Sequence, residues 1–351
     1  MARNISKILS IAAAIVAVIT LVSCGESSKL TKKTADMFYM DTIISTRFYG
    51  SSAVTDADFD EINKACGEII KTAESALSRT IADSQISEIN QSGNGSLEID
   101  ATVREVIAAA FDVSTGTGGA YDPTLGALTD LWDIVGKIKS GTSDIPSDGE
   151  IAETLTHTGI DKFRINESAI EKFDADAKID LGGIGKGYAA QMVSDYLNTT
   201  ELRYGLVSMG GNVGVFGSKP SGEPFKIAIA DPDDGDSVVG YILITSGFVS
   251  VSGDYERYIE VGDERYHHIF DPATGYPSDG GLRSVAVHCD NGMYADALST
   301  ALFVMGMDKG MEFYRNGAYD FEAVFIADSG EITVTDGLRD SGTFTAVTRT
   351  K

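Results

Sequence analysis

A glycine-dense segment at residues 180–187 is the part of the sequence with the clearest chemical potential. It reads Asp-Leu-Gly-Gly-Ile-Gly-Lys-Gly. This pattern is neither a Walker A loop nor the dinucleotide fingerprint G-x-G-x-x-G. Its glycines still let the backbone approach a ligand, and the N–H groups that begin a following helix can bind an anion beside Lys186. Asp180 at the strand end could hold a ribose or ring donor. The alternative is a tight strand-to-helix turn without a ligand.

Two further positions offer oxygen ligands to a metal ion. Asp296 and Thr300 are four residues apart in a segment with helical periodicity, so they share one face of the predicted helix. A carboxylate and a hydroxyl at this spacing can donate two oxygens to a hard cation such as Mg²⁺. Ser299 could assist from the flank. The alternative is an ordinary solvated helix face.

Paired histidines mark a third candidate. His267 and His268 precede a Pro/Gly turn over residues 271–275 and make up two of the four histidines in the chain. A histidine can act as a general base because its ordinary pKa lies near neutrality. The alternative is a simple turn between two strands.

The elements that must position these residues are an irregular mixture of helices and strands. Apolar residues recur at helical spacing over residues 59–77, 103–113, 188–197 and 294–305. Residues 37–49 predict a strand or a bent hairpin, and residues 225–287 are dominated by strand patterns. We therefore predict an α+β fold, a single domain with a mixed sheet and packed helices.

The N-terminus predicts export and attachment to a membrane. Arg3 and Lys7 precede an apolar run that, at about 15 residues, is shorter than the roughly 20 of a spanning helix. Residues 21–25, Leu-Val-Ser-Cys-Gly, resemble a bacterial lipobox, which implies a lipid on Cys24. We expect a signal peptide over residues 1–23, a tether over 24–36 and one domain over 37–351. The protein would then be lipid-anchored at the extracytoplasmic face of a bacterial cell membrane. The alternative is an uncleaved anchor helix.

Charge and cysteine content narrow the class of ligand. The formal net charge is −24, which argues against a nucleic-acid partner because phosphate neutralisation needs a basic face. A phosphate-bearing ligand must instead be met by backbone N–H groups, a few basic side chains and a divalent cation. Beyond Cys24 the chain has only Cys66 and Cys289, which predicts buried thiols and neither a disulfide framework nor a zinc cluster.

Taken in order, eight segments of the chain resemble the ApbE family of FAD:protein FMN transferases. The resemblance extends over residues 37–340, nearly all of the expected mature chain. The matching segments are residues 40–42, 78–90, 119–124, 179–187, 208–212, 252–255, 268–275 and 295–300.

The resemblance implies a reaction, its cofactors and its site residues. Members of the family use Mg²⁺ and FAD as substrate to join the FMN phosphate to a Ser or Thr hydroxyl of acceptor flavoproteins in membrane redox systems, releasing AMP. His268 would be the catalytic base that takes the proton from the hydroxyl. Carried over residue by residue, the FAD contacts would be Met40, Ser78, Thr80, Ala120, Tyr121, Asp122, Asp180, Lys186 and Ile269. The Mg²⁺ ligands would be the Gly183 carbonyl, Asp296, Ser299 and Thr300.

One departure from the family pattern keeps other functions open. Relatives commonly carry an aromatic residue where this chain has Thr80, so the flavin side of the pocket could be looser and admit water. The enzyme would then be an FAD pyrophosphatase that yields FMN and AMP. A non-catalytic FAD-binding lipoprotein is a further alternative. A solute-binding lipoprotein of an importer would need two lobes, for which the sequence shows no boundary. The chain lacks an Asp-x-x-Thr-Gly-Ala-Thr-like acceptor motif, so self-modification is not expected.

Overall fold

The fold begins with a long β-hairpin. In the computed structural model, which describes residues 30–347, the chain enters strand β1 at Thr31, turns at Met40 and Asp41, and returns as strand β2. The two turn residues both have positive φ, 52° and 55°. This corrects the predicted tether over residues 24–36, because residues 31–36 pair with β2. The lipobox, Cys24 and the predicted signal peptide lie outside the described residues.

The described part of the chain contains nine α-helices, one short 3-10 helix (Ile160–Lys162) and sixteen strands. The helices are α1 (Asp56–Leu77), α2 (Gln85–Gln91), α3 (Ala101–Gly116), α4 (Gly126–Trp132), α5 (Ile134–Ser140), α6 (Asp148–Leu155), α7 (Gly185–Asn198), α8 (Gly292–Asn316) and α9 (Asp336–Ser341). The strands are β1 (Thr31–Tyr39), β2 (Thr42–Gly50), β3 (Gly95–Glu98), β4 (Phe163–Ile165), β5 (Ala169–Lys172), β6 (Leu202–Met209), β7 (Asn212–Gly217), β8 (Phe225–Asp231), β9 (Asp234–Ile244), β10 (Phe248–Gly253), β11 (Tyr258–Val261), β12 (Glu264–His267), β13 (Leu282–Cys289), β14 (Glu322–Ala327), β15 (Ile332–Val334) and β16 (Phe344–Ala346).

An eight-stranded sheet forms the centre of the fold. Its strand order is β1-β2-β6-β7-β10-β13-β14-β15, and each pairing is antiparallel. Smaller sheets have the orders β16-β9-β8, β3-β5-β4 and β11-β12. Helices and antiparallel sheets thus occupy separate layers, which confirms the predicted α+β class.

The two faces of the central sheet are buried by different partners. On one face α7 packs against β6 and β7, while α8 packs against β10 and β13. This layer also contains α1, whose buried residues include Phe59, Ile62 and Ile70, as the helical periodicity predicts. The opposite face packs against β8 and β9, where Ile227 and Ile242 lie in the second apolar cluster. Helices α7 and α8 therefore lie side by side on one face of a rigid sheet.

A smaller apolar cluster supports the segment that carries the paired histidines. Trp132 at the end of α4 stacks on Tyr266 and Phe270, with ring centroids 5.6 and 5.7 Å away. The Trp132 indole N–H also donates to the carbonyl of Gly275 at 2.8 Å. Both ends of the turn at residues 271–275 are thereby attached to the core.

Two other expectations concern cysteines and membrane spans. Cys66 and Cys289 are free and buried, as predicted. Among residues 30–347, no helix combines the length and the apolar character needed to cross a bilayer.

Candidate functional site

The glycine-dense segment turns into a helix as predicted, but Asp180 does not end a strand, because Lys178 forms only an isolated bridge to Leu125. The Asp180 N–H donates to the Pro123 carbonyl at 2.8 Å, and the Asp180 carboxylate accepts from the Gly182 N–H at 2.8 Å. Helix α7 begins at Gly185. The Lys186 ammonium donates back to the Gly182 carbonyl at 3.1 Å, which keeps this cation above the turn.

Helices α7 and α8 touch at their first turns, and glycine makes that contact possible. A Cβ atom on Gly187 would lie 2.1 Å from the Gly292 carbonyl oxygen, and one on Gly292 would lie 2.4 Å from the Gly187 carbonyl oxygen. No side chain fits at either position. The close approach brings the start of α7 next to Asp296, which lies one turn into α8.

Asp296 is buried and its carboxylate is held on both oxygens. Oδ2 accepts from the Gly187 N–H at 2.9 Å, and Oδ1 accepts from the Asn212 amide at 3.1 Å. The Lys186 ammonium lies 3.9 Å from Oδ1. Each carboxylate oxygen has two acceptor sites, so one site on each oxygen remains for a cation.

Thr300 and Ser299 differ in what their hydroxyls contact. The Thr300 hydroxyl faces Gly183, where an added Cβ would lie 3.3 Å from Thr300 Oγ1, and it lies 3.2 Å from the Ser252 hydroxyl. The Ser299 hydroxyl is fully buried, donates to the Asp296 carbonyl at 2.8 Å and lies 2.8 Å from Ser252. Thr300 therefore fits a ligand role beside Gly183, while Ser299 braces the helix. The ligand role of Ser299 stays a prediction.

Tyr121 contributes a buried hydroxyl to the same place. Its ring lies against Gly183, where a Cβ would be 3.1 Å from Cε2. The hydroxyl has no hydrogen-bond partner among residues 30–347. Burial raises the pKa of Tyr121, and the carboxylates of Asp296, Asp180 and Asp122 raise it further. An unpaired buried hydroxyl costs free energy, so a bound group that accepts a hydrogen bond from it would stabilise the site.

Asp180 is fixed by an arginine that lies between two predicted FAD contacts. Arg79 donates to Asp180 at 3.0 Å and lies 2.9 Å from Asp130. On either side of Arg79, the Ser78 and Thr80 hydroxyls lie 3.1 Å apart, and Thr80 is exposed. The 78–80 loop and the glycine turn therefore form adjacent walls, with Asp180 between them.

Met40 approaches the start of α7 from the tip of the β1–β2 hairpin. Its Cε would lie 3.7 Å from a Cβ on Gly185, and its N–H donates to the Glu74 carboxylate at 2.8 Å. The hairpin thus places the flexible apolar side chain of Met40 at the N-terminus of α7.

The loop after α3 carries Ala120 and Asp122 on either side of Tyr121. The Asp122 carboxylate accepts from the Thr124 N–H at 2.8 Å and from its hydroxyl at 2.6 Å. Burial nevertheless raises the pKa of Asp122. Ala120 is half-buried against the main core. The loop adjoins Asp180 through the hydrogen bond to Pro123.

The two histidines have different roles in the structure. His267 is buried: its Nδ1 accepts from the Ile269 N–H at 3.2 Å, so its Nε2 donates to the Ser278 carbonyl at 3.0 Å. Burial lowers the pKa of His267 to about 4. Both ring nitrogens have hydrogen-bond partners within the protein, so neither is available to a substrate. The neighbouring Ile269 is also buried.

His268 keeps one ring nitrogen available. Its Nδ1 lies 3.3 Å from the Arg257 carbonyl, which can only accept, so Nδ1 carries the proton and Nε2 keeps an unprotonated lone pair. Burial, Arg257, His267 and Lys186 lower the pKa of His268 to about 3. The ring is therefore neutral at physiological pH.

Several residues at this site were missed by the sequence analysis. Asn212 holds Asp296, Arg79 holds Asp180, and Glu256 faces the Gly210–Gly211 turn, with its Oε1 3.2 Å from a Cβ on Gly211. Burial and Asp296 raise the pKa of Glu256, against the opposing effects of Lys186 and Arg257. Asn212 is the last residue of the matching segment 208–212, and Glu256 directly follows the segment 252–255, but the sequence assigned neither of them a role.

The site fits a hard cation together with a pyrophosphate-bearing ligand. The atoms that could ligate a cation are the oxygens of Asp296, Thr300 and Gly183, and Mg²⁺ prefers oxygen ligands. The Lys186 ammonium suits an anion, whereas the N–H groups of Gly185 and Gly187 already donate to the Leu181 carbonyl and the Asp296 carboxylate. The Tyr121 ring and the Thr300 hydroxyl both lie against Gly183, and the Tyr121 hydroxyl has no hydrogen-bond partner among the described residues.

Known proteins with a similar sequence or fold belong to one family. The sequence model of the ApbE family matches residues 40–325. The chain is 31% identical to the FAD:protein FMN transferase of Klebsiella pneumoniae, covering 78% of this chain and 84% of the relative. It is 28% identical to that of Haemophilus influenzae over the full length of both. The crystal structure of the ApbE protein of Thermotoga maritima has a TM-score of 0.79 and 34% identity, covering 88% of this chain and 98% of that one.

Proposed function

Because the chain belongs to the ApbE family, we propose that it is a flavin transferase that moves FMN from FAD to a Ser or Thr hydroxyl of an acceptor protein, with Mg²⁺ as cofactor and AMP as the second product. The named relatives are FAD:protein FMN transferases, which supports the activity. The Mg²⁺ requirement is supported by the oxygen ligands of the site, and the Ser or Thr acceptor is what the family resemblance implies.

The observation that carries the proposal is the convergence of four elements on one point. Asp296 and Thr300 come from α8, Gly183 from the glycine turn, Lys186 from α7 and Tyr121 from the loop after α3. In a protein of charge −24, a metal-bound pyrophosphate needs oxygen ligands for the metal ion. It also needs groups that pair with the phosphate oxygens, which the Lys186 ammonium and the Tyr121 hydroxyl can supply. Mg²⁺ would be held by Asp296, Thr300 and the Gly183 carbonyl, and when bound it would neutralise charge on the phosphate oxygens.

FAD would bind along the walls around this point. Met40 and Ile269 offer apolar contacts, while Ser78, Thr80 and Asp180 offer hydroxyls and a carboxylate for the polar parts of the ligand. Lys186 would face the pyrophosphate. Ala120, Tyr121 and Asp122 would border it on the opposite side, with the Tyr121 hydroxyl donating to a ligand oxygen.

The reaction would be a displacement at the phosphorus of the FMN half. The acceptor oxygen forms the new O–P bond, the bond from that phosphorus to the bridging oxygen breaks, and AMP leaves with that oxygen. The unprotonated Nε2 of His268 takes the proton of the attacking hydroxyl, while Nδ1 stays bonded to the Arg257 carbonyl. Lys186 stabilises the negative charge that develops on the phosphate.

Hydrolysis is the competing outcome, and the exposed Thr80 favours it. Without a ring at this position, water can reach the flavin side of the pocket and replace the acceptor, giving FMN and AMP. We expect Thr80→Tyr to raise the ratio of protein-bound FMN to free FMN, measured by mass spectrometry and chromatography in the same reaction. An unchanged ratio would show that Thr80 is not the cause of hydrolysis.

Membrane attachment is a separate part of the proposal. The resemblance of residues 21–25 to a lipobox supports a lipid on Cys24, cleavage before that residue and a location on the extracytoplasmic face of a bacterial cell membrane. Acceptors would then be flavoproteins of membrane redox systems. A Cys24→Ser variant should lose metabolic labelling by palmitate and retain the mass of the uncleaved leader; labelling equal to the wild type would contradict a lipid on Cys24.

A mass measurement tests the activity directly. The chain is incubated with FAD, Mg²⁺ and a purified acceptor, with and without EDTA, and the intact acceptor mass is recorded. We expect an FMN adduct that EDTA removes and that Asp296→Ala abolishes. Intact FAD after hours with Mg²⁺ and no adduct would instead support a non-catalytic FAD-binding lipoprotein. Arg164→Ala serves as the control variant, because this exposed residue bonds Glu171 on the small β3-β5-β4 sheet.

A further inference from the structure

We propose that Asn212 is a positioning residue, which orients the Asp296 carboxylate for metal binding through a buried relay that starts at Ser250. This inference rests on the proposed function, because it assumes that Asp296 is a metal ligand. Neither Asn212 nor Ser250 is among the ligand or FAD contacts named above.

The first step of the relay fixes the direction of the Asn212 amide. Ser250 on β10 and Asn212 on β7 are register partners in the central sheet, and the Ser250 hydroxyl donates to Asn212 Oδ1. With its oxygen occupied by a donor, the amide presents its NH₂ group in the other direction. Asn212 and Ser250 are 2% and 1% exposed, so water does not compete for these bonds.

The second step passes this orientation to the carboxylate. Asn212 Nδ2 donates to Asp296 Oδ1 at 3.1 Å, while the Gly187 N–H donates to Oδ2 at 2.9 Å. One donor comes from the sheet and one from α7, so the plane of the carboxylate is defined from two sides. The carboxylate is therefore held in one rotamer, in which the remaining acceptor sites of both oxygens point in a fixed direction. Partners of this kind around a metal ligand typically change metal affinity or activity about 10- to 100-fold when they are removed.

The hairpin before Asn212 explains how it reaches this position. Strands β6 and β7 are joined by Gly210 and Gly211 alone, with φ of 48° and 93°, which side chains rarely adopt. A Cβ on Gly210 would lie 2.6 Å from the Thr42 hydroxyl. The tight turn therefore makes Asn212 the first residue of β7, directly below α8.

The test measures metal binding without relying on turnover. Full-length protein is titrated with Mn²⁺ in the presence of FAD and without acceptor, and free Mn²⁺ is followed by its EPR signal. The variants are Asn212→Leu, which keeps the branching of the side chain but removes both polar groups, Ser250→Ala and Asp296→Ala. Ser194→Ala is the matched control: its buried hydroxyl bonds the Val215 carbonyl of the same strand. Mn²⁺ held by other groups, such as His157, Asp174 and Asp176, remains in Asp296→Ala and is subtracted.

We expect Asn212→Leu to weaken Mn²⁺ binding about 10- to 100-fold. Ser250→Ala should weaken it by a smaller factor, and Ser194→Ala should match the wild type. At saturating Mn²⁺ the transfer rate of Asn212→Leu should approach that of the wild type, although its Mn²⁺ affinity remains lower. A positioning role requires this difference. If Asn212→Leu does not fold, as seen by circular dichroism, the affinity of Ser250→Ala decides.

Two results would overturn the inference, and they are distinguishable. Wild-type affinity in Asn212→Leu, or in Ser250→Ala when that variant decides, together with a loss in Asp296→Ala, would exclude the relay and leave the proposed metal site intact. Equal Mn²⁺ binding by wild type and Asp296→Ala would exclude the metal site itself, and the relay with it.

Discussion

Replacing Asp296 by asparagine should separate the folding role of this residue from its chemical role. The carboxylate accepts from the Gly187 N–H at 2.9 Å on one oxygen and from the Asn212 amide at 3.1 Å on the other. An amide of the same shape has only one acceptor atom. In Asp296→Asn one of these two donors must therefore face an NH₂ group and lose its partner.

The magnitude follows from the burial of the pair. Asp296 and Asn212 are 3% and 2% exposed, so the donor that loses its acceptor cannot turn to water. A buried donor without an acceptor costs about 1–3 kcal/mol. We expect the free energy of unfolding of Asp296→Asn, measured by urea denaturation, to fall by that amount with an unchanged m-value.

A double variant provides the matched control. In Asp296→Asn combined with Asn212→Asp, acceptor and donor exchange places, so the Gly187 N–H, the Ser250 hydroxyl and the pair itself all regain partners. The double variant should recover most of the lost stability. Its transfer activity should stay low, because the carboxylate is no longer on α8. Wild-type stability in Asp296→Asn, or a double variant less stable than the two single changes combined, would refute this account of the site.

Three further predictions concern residues around the site. His268→Ala should lower FMN transfer about 10²- to 10⁴-fold with FAD binding retained by flavin fluorescence; undiminished transfer would exclude His268 as the base. His267 has a folded-state pKa of about 4, below its ordinary value of 6.5, so its stabilising effect is complete above pH 6.5 and is lost as the pH falls towards 4. That loss amounts to roughly 3 kcal/mol, and His267→Gln should flatten the decline in urea midpoint between pH 6.5 and 4. Gly187→Ala should destabilise the fold by about 1–3 kcal/mol, because the new Cβ meets the Gly292 carbonyl, whereas Gly149→Ala, which meets nothing within 4 Å, should not. Equal melting temperatures for these two variants would contradict the close helix contact.

Much of the fold was predictable because its signals are local. The periodicity of residues 59–77 and 294–305 identified α1 and the first part of α8, and the four-residue spacing of Asp296 and Thr300 put both on one face. The strand β1 was missed at its start because residues 31–36 are mostly polar. This strand lies at an edge of the sheet with alternate residues exposed, so pairing with β2 defines it and composition does not.

The site was less predictable where contacts cross the chain. Asn212 meets Asp296 across 84 residues of sequence, and Arg79 meets Asp180 across 101. No local spacing carries such information. The adjacent His267 and His268 were also indistinguishable by type, and only their hydrogen-bond partners show which ring keeps an available nitrogen.

The contact between the first turns of α7 and α8 also has an electrostatic consequence. The peptide dipoles of a helix sum to roughly half a positive charge at its N-terminus, and here two such termini meet at Gly187 and Gly292. This fixed positive potential does not titrate and does not depend on a metal ion. The Asp296 carboxylate uses part of this field, since it accepts from the Gly187 N–H, and the remainder offsets some of the protein's negative charge where a phosphate would approach. Affinity for FAD should accordingly weaken, and not vanish, when EDTA removes the metal and Lys186 is neutralised.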